Sequence, residues 1–133
     1  MASAYEAETR GVKVRVAPSF LPEHSDPEED RWVWAYTVEI ENRGAETIQL
    51  VDRRWIITDA QGRVEQVSGP GVVGEQPVLQ PGDSYQYTSG CPLSTDSGAM
   101  TGAYGMVTEA GERFEALIPP FSLHLPGAER AVN

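Results

Sequence analysis

The chain has a single cysteine, Cys91, in 133 residues, so no intrachain disulfide can form and the fold must hold without one. Basic residues are also scarce. Ten Lys and Arg stand against twenty Asp and Glu, a formal net charge of -10. That balance repels phosphate backbones and anionic lipid head groups, and excludes nucleic acid and membrane surfaces as expected partners. The two histidines, His24 and His124, lie far apart in sequence, and two lone imidazoles do not make a zinc site. No apolar run approaches the length of a membrane span. The N-terminal stretch Met-Ala-Ser-Ala-Tyr-Glu-Ala-Glu has neither the basic nor the apolar region of a secretory leader, so a cytoplasmic location is expected. No window of ten or more residues keeps helical spacing free of Pro and Gly, which removes helix-based folds.

What is present is alternation with period two. Val12, Val14 and Val16 point one way and Lys13 and Arg15 the other; Pro18 and Pro22 then end this strand. His24 to Asp30 is acidic and polar around Pro27 and reads as a solvated loop. From Arg31 the alternation is strongest, with Trp32, Trp34, Tyr36, Val38 and Ile40 on one face, which makes this the central core strand. A turn at Asn42 to Gly44 leads into a strand from Thr47 to Thr58. Its apolar parity shifts between Ile48, Leu50 and Trp55, Ile57, which predicts a bulge near Asp52 to Arg54. Further strands follow at Arg63 to Ser68, from Asp83 with Tyr85 and Tyr87 in phase, at Gly98 to Thr108, and at Arg113 to Ile118. Pro119-Pro120 interrupts the last, which resumes through Phe121, Leu123 and Leu125. Seven strands at this spacing predict one all-β domain over residues 1–133, with a core from about 12 to 125 and flexible termini. The expected architecture is an antiparallel immunoglobulin-like or fibronectin type III-like sandwich, with a small closed barrel as the alternative. Trp55 on the third strand and the lack of a bridging cysteine pair favour the fibronectin-like form.

Few residues offer chemistry. Gly69-Pro-Gly71-Val-Val-Gly74 has the spacing G-x-G-x-x-G, which in dinucleotide sites lets backbone approach a pyrophosphate at a helix N-terminus. Here Pro70, Pro77 and Pro81 leave no room for the helix, so the glycines are expected to supply positive φ in a crossover loop. The loop Gly69, Gly71, Val72, Val73, Gly74, Glu75 and Gln76 is the candidate binding element, with Val72-Val73 as an exposed tip between glycine hinges and weak pyrophosphate or nucleotide binding as an alternative use. Glu23, Asp26, Glu28, Glu29 and Asp30 could offer oxygen to a hard cation but lack the EF-hand pattern, so a solvated charge run is expected and no metal site is assigned. Cys91 has no His motif beside it, and Ser84 belongs to the Pro81-Gly82 turn without a G-x-S-x-G elbow. No catalytic residue and no cofactor is assigned, and the chain is not expected to be an enzyme.

Taken together, Trp55-Ile-Ile-Thr58, Val67-x-Gly69-x-Gly71-Val-Val-Gly74-x-Gln-Pro77, Pro81-Gly82-x-x-Tyr85-Gln-Tyr-Thr-Ser-Gly90, Gly98-x-Met100-x-Gly102-x-Tyr104 and Ile118-Pro-x-Phe121-x-Leu123 resemble the ApaG family, from about Val12 to Leu125. The resemblance implies a fibronectin type III-like sandwich of a three-stranded sheet on a four-stranded one. Its bacterial members are stand-alone proteins linked by name to cobalt resistance and magnesium efflux. Similar domains occur in eukaryotic F-box proteins and a polymerase-delta-interacting protein, where the implied role is protein binding. The function expected here is a non-catalytic interaction domain that presents the glycine loop and one sheet face to another protein. Direct binding of magnesium or cobalt is the alternative of another class.

Overall fold

The computed structural model describes residues 5–126. Nine strands run in chain order: β1 (Tyr5–Thr9), β2 (Val12–Phe20), β3 (Trp32–Asn42), β4 (Ile48–Asp59), β5 (Val64–Pro70), β6 (Val78–Leu79), β7 (Ser84–Leu93), β8 (Gly98–Thr108) and β9 (Arg113–Leu123). They form two antiparallel sheets packed as an immunoglobulin- or fibronectin type III-like sandwich. One sheet has the order β1-β2-β3-β7, and the other β5-β4-β8-β9 with β6 also paired to β4. The expected three-on-four arrangement is therefore four on five. The seven predicted strands are present, and β1 and β6 are additions at sheet margins.

Strand β1 lies within the N-terminal stretch before residue 12, outside the expected core; residues 1–4 and 127–133 of the expected termini lie outside the described residues. It pairs Tyr5↔Val16 through Thr9↔Val12. Its far side meets β9, where the Tyr5 hydroxyl bonds to Ser122 Oγ at 3.0 Å and the Leu117 amide donates to Thr9 Oγ1 at 3.1 Å. One lateral side of the sandwich is stapled by these bonds.

Two prolines do not break strands as expected. Pro18 pairs with Tyr36 within β2, which runs on to Phe20. Among the described residues β1 covers β2 only as far as Val16, so Pro18 lies where no described strand pairs on that side of β2 and a missing N–H costs no described ladder bond. Pro119-Pro120 lies inside β9, where the register shifts between Met100 and Gly102, so the pair lies opposite Thr101 as a bulge in an edge strand. The bulge in β4 falls at Val51, one residue before the expected stretch.

The alternation of β3 buries Trp34, Tyr36, Val38 and Ile40 against the facing sheet, and Trp55, Met100, Tyr104, Ile118 and Phe121 answer them. Trp55 is the aromatic hub: Tyr36 meets it edge-on at 5.3 Å, Phe121 at 6.0 Å and Tyr104 at 6.4 Å. The Tyr87 and Tyr104 hydroxyls bond to each other at 2.5 Å, which satisfies both within the core. At one end, buried Asn42 ties the turns together. Its Nδ2 donates to the Glu46 and Leu79 carbonyls and its Oδ1 accepts from the Gly44 amide, while the Gly82 amide donates to its backbone carbonyl. The Pro81-Gly82 corner is thus closed through Asn42, while the half-buried Tyr85 ring packs on Tyr87 at 6.3 Å.

Candidate functional site

The glycine stretch folds as the end of β5 followed by a tight hairpin. Val72 and Glu75 exchange both backbone hydrogen bonds at 2.8 Å, with Val73 and Gly74 between them at φ of 42° and 82°. Both turn residues lie in the left-handed region, as a type I′ hairpin requires. For a β-branched residue such as Val73 that conformation is an outlier. The Gly71 amide donates to the Val51 carbonyl at 2.9 Å, and Gln76 Nε2 to the same carbonyl at 2.8 Å, so the hairpin is docked along β4. That docking turns Val72 inward to 0% exposure while Val73 is 56% exposed, so the expected exposed pair is a single exposed residue beside a core anchor. The amides of Gly71, Val72 and Glu75 are spent on these internal bonds, which removes three of the N–H groups that an anion nest in this loop would use.

Gly69 has a different role. It pairs across strands with Arg53, and the Arg53 guanidinium lies over it: a Cβ built there would stand 3.1 to 3.3 Å from the guanidinium atoms. Arg53 Nη1 donates to the carbonyls of Pro70 and Gly71, each at 3.0 Å, which fixes the plane of the fork. The Val51 bulge is the reason Arg53 is here. Before it Ile48 and Leu50 face the core; after it Trp55 is buried, and Arg53 and Ile57 share its parity. Arg53 is therefore an inward-facing cation.

It stands at an opening between the sheets. On the side opposite the β1–β9 staple, the outer strands β5 and β7 face each other across a cleft of about 290 Å³. Its floor is Tyr36, Trp55, Ile57 and Met100, and its rims are Glu65 and Val67 from β5 and Ser89 to Pro92 from β7. The opening continues past Glu65 and Pro92 into a second cleft of about 330 Å³ that reaches Arg63 and Ser94. Among the described Lys and Arg side chains, Arg31 and Arg53 alone have no carboxylate oxygen within 4.0 Å; the others are ion-paired. Arg31 is exposed beside the acidic loop, whereas Arg53 is half-buried with its Nε and Nη2 donors unassigned to protein. Burial raises the Tyr36 hydroxyl above its ordinary pKa, opposed by hydrogen bonding to Ser89. Burial also pushes the Cys91 thiol up to about 11, away from the thiolate form a nucleophile needs.

The remaining candidates lie elsewhere. The acidic segment carries two 3-10 turns, Pro22–His24 and Pro27–Glu29, whose side chains are all unburied. Among the described residues no group of three or more His, Cys, Asp or Glu side chains gathers as a metal ion would require. Ser84 is exposed at the start of β7. His124 Nδ1 is 3.1 Å from Ser122 Oγ, which also meets the Tyr5 hydroxyl, so this pair belongs to the staple between β1 and β9. No helix of the described residues is long and apolar enough to cross a membrane. Sequence reasoning missed Arg53, Glu65, Val67 and Ser89. The parity shift in β4 was the one signal that pointed to Arg53.

The sequence profile of the ApaG domain matches residues 22–108. Protein ApaG of Rhodospirillum centenum is 61% identical over 129 residues, 97% of this chain and 99% of that protein, and Protein ApaG of Mesorhizobium japonicum is 58% identical over the same shares. Among solved structures, a putative ApaA protein of Bordetella pertussis is 46% identical, with a TM-score of 0.85 over 96% of this chain and 99% of that one. A more distant likeness, to the C-terminal domain of wzt at 12% identity and a TM-score of 0.55 over 90% of this chain and 76% of that one, concerns the fold alone.

Proposed function

The chain belongs to the ApaG family, and we propose that it acts as a non-catalytic binding module that engages another protein at the open mouth of the sandwich. The observation that supports this is the placement of two sheet margins, β5 and β7, side by side over an apolar floor. Outer strands carry unpaired backbone donors and acceptors, and recognition by strand addition uses them for affinity while neighbouring side chains give specificity. The expected presentation through the glycine loop is reduced to Val73 at its tip, because Val72 belongs to the core. The pyrophosphate reading loses three of the loop amides it would use, and the direct-cation reading suggested by the family's link to cobalt and magnesium has no converged ligand set among the described residues.

Affinity capture from cell extract, quantified by mass spectrometry with and without magnesium and cobalt(II), tests the proposal. Wild type is compared with Val67→Asp, which puts a charge in the mouth, and Val73→Asp, which puts one on the hairpin tip. The expected result is a protein retained in every metal condition, kept by Val73→Asp and lost by a folded Val67→Asp. Capture unaffected by Val67→Asp would move the partner away from the mouth. Capture that requires metal would return the cation reading to the front.

A further inference from the structure

We infer that the mouth takes an extended peptide segment of the partner, added as a strand to the free side of β5, with an acidic side chain opposite Gly69, an apolar one opposite Val67 and a basic one opposite Glu65. This rests on the binding-module reading above. Three inward-facing positions of β5 define the pattern, because cross-strand partners share a face: Gly69 pairs with Arg53, Val67 with Trp55 and Glu65 with Ile57. A strand added beyond β5 would place side chains at i, i+2 and i+4 over these three positions, about 7 Å apart along the edge.

The chemistry of each position follows from what lies there. Gly69 has no side chain to cover the Arg53 guanidinium, so a residue on the next strand reaches it over the glycine. Of the five guanidinium N–H groups, the two on Nη1 hold the Pro70 and Gly71 carbonyls. The Nε and Nη2 edge that remains has the fork geometry of a bidentate carboxylate contact, and no acidic residue of the described chain supplies one. Val67 and Trp55 offer apolar surface, and Glu65 at the far rim offers the opposite charge. Strand β5 is the edge chosen over β7 because Val64 to Gly69 contains no proline, whereas Pro92 lies within the mouth on β7 and has no N–H to donate. The competing account of an inward-facing charge at a sheet margin is protection against edge pairing. It predicts the opposite outcome, since neutralising Arg53 would then open the edge to peptides or to a second copy.

Random linear peptides displayed on phage are panned in parallel on the wild-type protein and on Arg53→Gln. A synthetic peptide from the wild-type selection is then titrated with amide chemical shifts as readout, beside a version whose acidic residue is changed to its amide. The expected result is a wild-type consensus of acidic, apolar and basic residues at alternate positions, with shifts centred on Val64 to Gly69. Removing the peptide's carboxylate should weaken binding by about tenfold or more, the scale of a charge-assisted bidentate contact. The peptide-side change leaves the protein untouched, so the result stands even if Arg53→Gln disturbs the hairpin it helps to hold. A consensus without an acidic residue, shifts confined to the hairpin, no enrichment at all, or enrichment only on Arg53→Gln would each overturn the inference. If those results come with capture that still depends on Val67, the module stands and only its peptide chemistry falls. Capture indifferent to Val67→Asp removes both.

Discussion

Gly71→Ala and Gly74→Ala form a matched pair, because both residues have positive φ, 60° and 82°, and only one of them is crowded. At Gly74 nothing lies within 4 Å of an added Cβ, so alanine there meets the left-handed backbone penalty alone, about 1 kcal/mol. At Gly71 the added carbon would run into the Glu75 carbonyl oxygen, the same atom that accepts from the Val72 amide. The hairpin must open to admit it. Since Val72 is fully buried, partial withdrawal forfeits a share of the roughly 1.5–3 kcal/mol that burial of such a side chain contributes. The expected losses are therefore about 1 kcal/mol for Gly74→Ala and about 2–3 kcal/mol for Gly71→Ala. Urea unfolding with an unchanged slope measures both. Equal losses would show that the docking of the hairpin on β4 is wrong. Negligible losses at both sites, together with pyrophosphate binding that either alanine abolishes, would show that the glycines serve close approach of a ligand.

Trp34→Ala should cost about 3–5 kcal/mol by urea unfolding, since the side chain is 1% exposed and its Nε1 donates to the His124 carbonyl at 2.9 Å; a loss under about 1 kcal/mol would contradict the face assignment of β3. Alkaline pH should destabilise the fold through Tyr87 and Tyr104, whose hydroxyls burial holds above the ordinary tyrosine pKa. Because the folded values are raised, this contribution is fully present below the unfolded value near 10 and is lost as pH rises beyond it, so stability should fall from about pH 10 upward. Tyrosinate absorbance from these two residues should appear only with unfolding; early titration of all five tyrosines in the folded protein would refute it.

The strands were legible in sequence where one face is apolar and the other is not. Val12, Val14 and Val16 in β2 and the alternate residues from Trp34 to Ile40 in β3 need only the period-two rule, and all are buried. Strand β1 was not, because its inward set, Tyr5, Ala7 and Thr9, is only half-buried and its pairing is supplied by β2 and β9. Pro18 is a strand breaker only where a ladder bond is required, and sequence does not say which side of a strand is an edge. Val72 shows the same limit at a loop. Flanking glycines mark a turn, but the bond from the Gly71 amide to Val51 that turns the valine inward joins residues twenty apart.

The mouth itself depends on a local irregularity acting at long range. With an unbroken period from Ile48, the even-numbered positions of β4 would face the core, so Arg54 would point inward and Trp55 to solvent. One extra residue at Val51 exchanges those roles: Trp55 enters the core, Arg54 meets Glu115 on the outer face at 2.9 Å, and Arg53 turns toward β7. The apolar parity shift shows that such a bulge exists, since Leu50 and Trp55 cannot otherwise both be buried. Its consequence for a charged residue is visible only when β5 brings Gly69 beneath the guanidinium and leaves it room to lie flat. Deleting Val51 would therefore be expected to keep Trp55 and Arg53 on the inner face, because the shortened strand alternates without interruption through Ile48, Leu50, Arg53 and Trp55, and to cost the docking of the hairpin, whose Gly71 amide and Gln76 Nε2 donate to the Val51 carbonyl. Replacing Arg53 is the complementary change: Trp55 keeps its place, while the charge at the mouth and the bonds to the Pro70 and Gly71 carbonyls are lost.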